Sequence, residues 1–130
     1  MHPLFLTLDE VLAIHREMID QYGGSDGIRD NGLLESAVAT PQASFGGEYV
    51  HGTIFEMAAA YLFHIVKNHP FIDGNKRAGA MAAFVFLKLN KFTLTAKEDE
   101  FERIVIEVAE SKIEKPAISK FFKKNCKKFR

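Results

Sequence analysis

Apolar residues return every three or four positions along almost the whole chain, a period that predicts helices. TLDEVLAIHREMIDQYGG, residues 7–24, puts Leu8, Val11, Leu12, His15, Met18 and Ile19 on one stripe. Thr7 and Glu10 form a capping box at its start, and Gly23 with Gly24 stop it. SDGIRDNG (25–32) is turn chemistry, and LLESAVAT (33–40) is a short helix ended by Pro41. QASFGGEYVHG (42–52) has too many glycines for a helix and enough Phe, Tyr and Val for a small hairpin. TIFEMAAAYLFHIVKN (53–68) is apolar nearly all round, the mark of a central buried helix. After a short polar loop comes another, NKRAGAMAAFVFLKLN (75–90), whose Ala and Gly residues allow close packing. Thr95 and Glu98 form a second capping box ahead of AKEDEFERIVIEVAESK (96–112), and Pro116 opens a last helix. The expected fold class is all-α, a compact bundle in a single domain over residues 1–130 with one small β-hairpin.

Composition narrows the setting. The 130 residues are 47% hydrophobic and include 12 Phe, enough for one sizeable core. A single cysteine, Cys126, excludes an intramolecular disulfide and suits a reducing compartment, so a cytoplasmic location is expected. The opening MHPLFLTLDE lacks a basic region followed by an apolar core, so no signal peptide is expected. Apolar stretches are interrupted well before the length of a membrane span. The formal net charge is zero but uneven. KFFKKNCKKFR (120–130) holds six of the 17 basic residues and no acid, leaving 11 basic against 17 acidic residues elsewhere. Lysines on the solvated face and C-terminal end of a last helix account for it, so nucleic acid is not an expected partner.

HPFIDGNKRAGA, residues 69–80, is where the chemistry concentrates. Lys76 and Arg77 fall in the first turn of a helix, at the positive end of its dipole. Each would cost roughly 0.3–1 kcal/mol there unless an anion shares the spot. Such a terminus also leaves backbone N–H groups without partners, which suits a phosphate chain. Gly74 permits close backbone approach, Asn75 can cap the helix, and Arg77 offers a fork matched to phosphate oxygens. His69 is the residue type suited to general-base work, and Asp73 offers hard oxygens for Mg²⁺ bridging phosphates. Phe71 and Ile72 look like anchors holding the loop on the core. Base, carboxylate, helix N-terminus and two cations within nine residues are the parts of a phosphate-ester transfer site. Blander accounts exist for each part: His69-Pro70 as a helix terminus, Asp73-Gly74 as a common turn, Lys76 and Arg77 pointing into solvent. A metal trio of His64, His69 and Asp73 is disfavoured, because a five-residue spacing puts the two histidines on different helix faces. His15, His51 and His64 read as packed or surface residues rather than ligands.

HPFIDGNKR resembles the signature of the Fic/Doc family, H-x-F-x-(D/E)-G-N-G-R-x-x-R in the Fic branch. GIRDNGLLESAVATPQASFGG, NHPFIDGNKRAGAMAAFVFLKLN and the opening LTLDEVLAIH resemble the death-on-curing (Doc) branch of toxins, a likeness covering about residues 5 to 122. The resemblance implies a Fic-type helical bundle in which the hairpin is the family's flap, laying a target segment along the site. It makes His69 the catalytic base, Phe71 the buried phenylalanine, and Asp73 the acid for metal and substrate. Gly74 and Asn75 fall in the anion-binding loop and Arg77 on the first phosphate-contacting arginine. Two positions depart from the Fic pattern. Lys76 replaces its second glycine, as in the Doc branch, and Ala80 stands where its second arginine would be. Both point away from AMP transfer and toward moving the γ-phosphoryl of ATP, with Mg²⁺, onto a protein hydroxyl.

For that branch the resemblance implies a target in the translation machinery, elongation factor Tu, and a block of translation. The N–H groups of residues 74–76, with Lys76 and Arg77, would hold the phosphates. Self-inhibited Fic proteins carry a helix motif, (S/T)-x-x-x-E-(G/N), that no stretch here matches. Restraint by a small antitoxin, partly disordered and folding onto a groove, is therefore the implied arrangement. Two alternatives stay open on sequence alone: a Fic-type AMP or other nucleotidyl transferase, and a non-catalytic interaction module that keeps the fold.

Overall fold

The computed structural model describes residues 2–130. Six helices follow in order: α1 (Leu8–Tyr22), α2 (Asn31–Ala39), α3 (Ile54–Asn68), α4 (Asn75–Leu89), α5 (Glu98–Ala109) and α6 (Lys115–Asn125). A short 3₁₀ turn, Thr40–Gln42, continues from α2 with Pro41 inside it. Strands β1 (Ser44–Phe45) and β2 (Glu48–Tyr49) make the expected hairpin, turning through Gly46 and Gly47, both at positive φ. Among the described residues, no helix is long and apolar enough to cross a membrane. The protein is thus all-α apart from two-stranded sheets.

Helix α3 is the axis of the bundle, and α4, α6, α2 and α5 all pack on it. Its run from Met57 to Leu62 is fully buried, as the all-round apolar sequence demands. The closest partnership is α3 with α4, and Gly79 sets its distance. A Cβ there would lie 2.8 Å from Val66 and 3.3 Å from the Leu62 carbonyl, so only a glycine lets the two backbones approach this far. The α1 capping box is formed as written: the Thr7 hydroxyl accepts the Glu10 N–H and Glu10 accepts the Thr7 N–H.

Three expectations need correcting. The second capping box does not form; Lys97 precedes α5 without a side-chain cap. Thr95 instead donates both its N–H and its hydroxyl to the Asn125 carbonyl, at 2.6 and 2.8 Å. That contact exists because the basic tail is not all helix. Residues Cys126–Lys128 form a strand, β4, antiparallel to β3 (Phe92–Leu94), with Leu94 opposite Cys126 and Phe92 opposite Lys128. Burial pushes the Cys126 thiol up to about 11, so it stays protonated and unreactive. Finally, Ile72 does not anchor the loop on the core: it is 53% exposed, whereas Phe71 is fully buried.

The histidines are packed, not scattered. His51, just past β2, and His64 on α3 each take a hydrogen bond on Nε2 from the Lys115 ammonium, at 3.1 and 3.0 Å. Both rings are therefore neutral acceptors. Burial, then the Lys115 charge, lowers the His51 pKa, with Glu56 opposing; the same two causes push His64 down to about 4. A histidine unfolded at its ordinary 6.5 binds a proton that the folded ring refuses, so this contribution is full above pH 6.5 and lost as pH falls toward 4. Allowing for partial exposure, it amounts to roughly 2 kcal/mol. Urea titrations across that window should show stability falling with acid. His64→Gln, whose carbonyl oxygen can still accept from Lys115 without titrating, should flatten the fall; an unchanged slope would show that His64 does not carry it.

Candidate active site

The site is built where α3 gives way to α4. Helix α3 ends as His69 turns into the left-handed region, φ 51° and ψ 53°, and Pro70 forbids any return to the helix. A residue with a Cβ sits there at a cost of about 1 kcal/mol, so something must hold it. The strand-like pairing of 27–30 with 70–72 supplies part of the hold. The N–H groups of Arg29 and Asp30 both donate to the Pro70 carbonyl, and the Ile72 N–H donates to Gly27. Phe71 is the anchor beneath. Its ring stacks flat on His15, with centroids 3.7 Å apart and planes within 3°. His15, itself buried, directs Nε2 to the Asp73 carbonyl at 2.7 Å.

Asn75 is not the helix cap that its sequence position suggests. Gly74 is the N-cap, at φ 78°, a left-handed turn closed in by Ile19 and His15 and costly for any other residue. Asn75 is the first helical residue, buried, and its side chain faces backward. Its Oδ1 accepts the Phe71 N–H and its Nδ2 donates to the Phe71 carbonyl, both at 3.0 Å. The loop is thereby closed by one side chain.

Asp73 is fastened too. Its Oδ1 accepts the Gly74 N–H at 2.9 Å and its Oδ2 the Ser25 N–H at 3.2 Å. These two donors, Ser25 first, hold its carboxyl below the usual carboxylate value, so it is charged at neutral pH. The Gly74 N–H is consequently engaged, which corrects the expected 74–76 set of anion donors. The amides of Asn75, Lys76 and Arg77 make no hydrogen bond to other described residues. They are the three free donors of the helix terminus.

Lys76 and Arg77 are exposed, with the Arg77 guanidinium carbon 4.5 Å over the Tyr22 ring. His69, Asp73, Gly74, Lys76 and Arg77 all line one groove of about 870 Å³. The groove continues past Ala80 into an apolar stretch with Met81, Phe84, Phe101 and Ile106. Every polar residue expected at the site is thus gathered, and Phe71 supports it from below. Ser25, Tyr22 and His15 were not foreseen as part of it. Only His15 gave a signal, a histidine on an otherwise apolar stripe. Chemically, the arrangement offers a proton acceptor, a fixed carboxylate and an anion cradle facing a shared space.

The sequence pattern of the Fic/DOC family matches residues 5–87. The chain belongs to the Fic/DOC family. Over 90 residues it is 41% identical to a protein named Toxin Doc from Mycolicibacterium smegmatis, covering 68% of this chain and 69% of that one. Over 85 residues it is 35% identical to one named Protein kinase doc from Escherichia phage P1, covering 65% of this chain and 67% of that one. The family match takes in α1 through nearly all of α4, and so the whole polar end of the groove.

Asn75→Ala tests the closure of the loop. It leaves a buried N–H and carbonyl of Phe71 unpaired, which should cost about 2–4 kcal/mol in urea unfolding. A loss below about 0.5 kcal/mol, as at an ordinary surface position, would remove Asn75 from that role.

Proposed function

We propose that the protein is a Doc-type toxin that moves the γ-phosphoryl of ATP to a hydroxyl of a target protein. The single observation that carries this reading is the groove's polar end, where His69 and three unbonded amides of α4 face the same space. A triphosphate laid there meets the free N–H groups of residues 75–77 and the charges of Lys76 and Arg77. His69 takes the proton of the incoming Ser, Thr or Tyr hydroxyl. The new bond forms from that oxygen to the γ-phosphorus, the bond to the β–γ bridging oxygen breaks, and ADP leaves. Positioning and charge neutralisation supply most of the acceleration.

Asp73 suits a Mg²⁺ ion on the chemistry of its donors. Each oxygen accepts one N–H and keeps a lone pair, the group is ionised, and it lines the groove. Mg²⁺ characteristically takes one or two carboxylates together with phosphate oxygens and water. When bound it would neutralise phosphate charge; Asp73 is the residue that would hold it.

Ala80 favours phosphoryl over nucleotidyl transfer. It contributes a methyl where the Fic pattern has a second arginine, so the α- and β-phosphates of an AMP donor would lose a charged partner. Lys76 works in the same direction, since its chain fills space that a glycine would leave for a diphosphate. The target proposed, on the likeness to the Doc branch, is elongation factor Tu, and the proposed outcome is a block of translation in the cytoplasm. The hairpin's exposed Phe45 and short β1–β2 ladder present an edge along which a target segment can be laid. The apolar extension of the groove fits an amphipathic antitoxin segment supplied by another chain.

Purified protein, elongation factor Tu and ATP labelled separately at the α and γ positions test the reaction. The γ-label alone should pass to the target, and His69→Ala should abolish transfer while leaving the fold intact. General-base loss costs about 10²–10⁴ in rate. Transfer of α-label, or full activity in folded His69→Ala, would overturn the assignment.

Lys76→Gly separates the two chemistries further. It should weaken γ-transfer by about 10-fold or more through the lost charge, and any α-transfer it gains should stay feeble while Ala80 remains. Undiminished γ-transfer would take Lys76 out of the site.

A further inference from the structure

We infer that Arg29 is a positioning residue, holding His69 in the backbone conformation that aims its imidazole into the groove. The inference rests on the phosphotransfer reading of His69, and it starts from an unfinished helix end. A helix leaves its last carbonyls without partners, and a left-handed residue usually lets following N–H groups turn back to them. Helix α3 cannot use that device fully. The left-handed residue is His69, and Pro70 after it has no N–H to give.

The missing donors come from the far side of the loop. Arg29 Nε donates to the His69 carbonyl at 2.6 Å and its Nη2 donates to the Asn68 carbonyl at 2.9 Å. One planar guanidinium thus spans two successive carbonyls, a match that a lysine's single ammonium cannot reproduce. Its charge also lies at the negative end of the α3 dipole, where a cation is favourable. The backbone of the same residue, with Asp30, fastens the next carbonyl at Pro70. Three consecutive carbonyls, 68 to 70, are therefore held by residues 29 and 30.

Arg29 does not itself reach the chemistry. Its side chain is exposed and does not line the groove in which His69, Lys76 and Arg77 stand. A role in gripping phosphate would require that it did. What it can change is the φ of His69. A residue with a Cβ released from the left-handed region relaxes to negative φ, and its side chain swings away from its former direction.

The test compares the wild-type protein with Arg29→Ala and Arg29→Lys in γ-label transfer to the target, with a crystal structure of Arg29→Ala alongside. The alanine variant should remain folded, because the guanidinium is exposed. Its kcat should drop about 10- to 100-fold, the scale of a misplaced group, while KM for ATP stays within about twofold. Lysine should recover only part of kcat, and added ethylguanidinium should restore some of it to the alanine variant. In the crystal, His69 should have left positive φ. Unchanged kcat, a loss confined to KM, or His69 still near φ 50° in Arg29→Ala would each overturn the inference. If the wild-type protein moves no phosphoryl at all, the function reading fails separately, and the crystal structure of the variant alone decides the positioning role.

Discussion

Asn75 gives both polar atoms of its side chain to the backbone of Phe71, and this pair of bonds decides where everything else at the site can stand. Closing residues 71–75 into a ring inside the protein leaves Phe71 nowhere to point but the core, where it meets the ring of His15. It also prevents Asn75 from capping its own helix. The cap falls to Gly74, which has no side chain to offer, so the first amides of α4 stay free. A conventional Ser or Asp cap would satisfy one of those amides and shrink the anion cradle. The same residue therefore fixes the loop and keeps the helix terminus open.

That opening carries an electrostatic debt. Lys76 and Arg77 stand beside the positive end of α4, and the neighbouring side chains compensate them only in part. Asp73 contributes one negative charge, kept ionised by two backbone donors, and Arg77 rests on the face of Tyr22. Cation–π contact is worth about 0.5–1 kcal/mol at an exposed site, too little to cancel two like charges and a dipole. The remaining field is available to a polyanion, which accounts for two cations in the first turn of α4. At α5, for comparison, Glu98, Asp99 and Glu100 occupy the first turn in the favourable sense.

Much of this was legible because it is local. The Thr7–Glu10 box, the Gly46-Gly47 hairpin and the two apolar helices each depend on neighbours within a few residues. The polar site residues lie within one nine-residue stretch, so any fold that joins α3 to α4 there brings them together. What escaped was long-range. Thr95 and Glu98 have capping-box spacing, but Thr95 is claimed by Asn125, thirty residues away. The strand at Cys126–Lys128 carries two lysines and no clear alternation, and it exists only because β3 is there to pair with it. Ile72 resembles an anchor by composition, yet the bridge between Ile28 and Phe71 turns it outward.

The residues that sequence reasoning overlooked share a physical property: they act through the loop's backbone or its flanks. Ser25 reaches Asp73 with an N–H that any residue but proline possesses, and Arg29 recognises carbonyls, not side chains. Such contacts leave no local pattern, since their partners lie about forty or more residues away. They also divide the labour. The nine-residue stretch supplies the reactive groups, while the segment between α1 and α2 determines the shape in which they are held. A loop with the right side chains but without that segment would keep its charge and lose the left-handed turn at His69. The proposed chemistry therefore draws on both stretches, and the family match spanning residues 5–87 includes both.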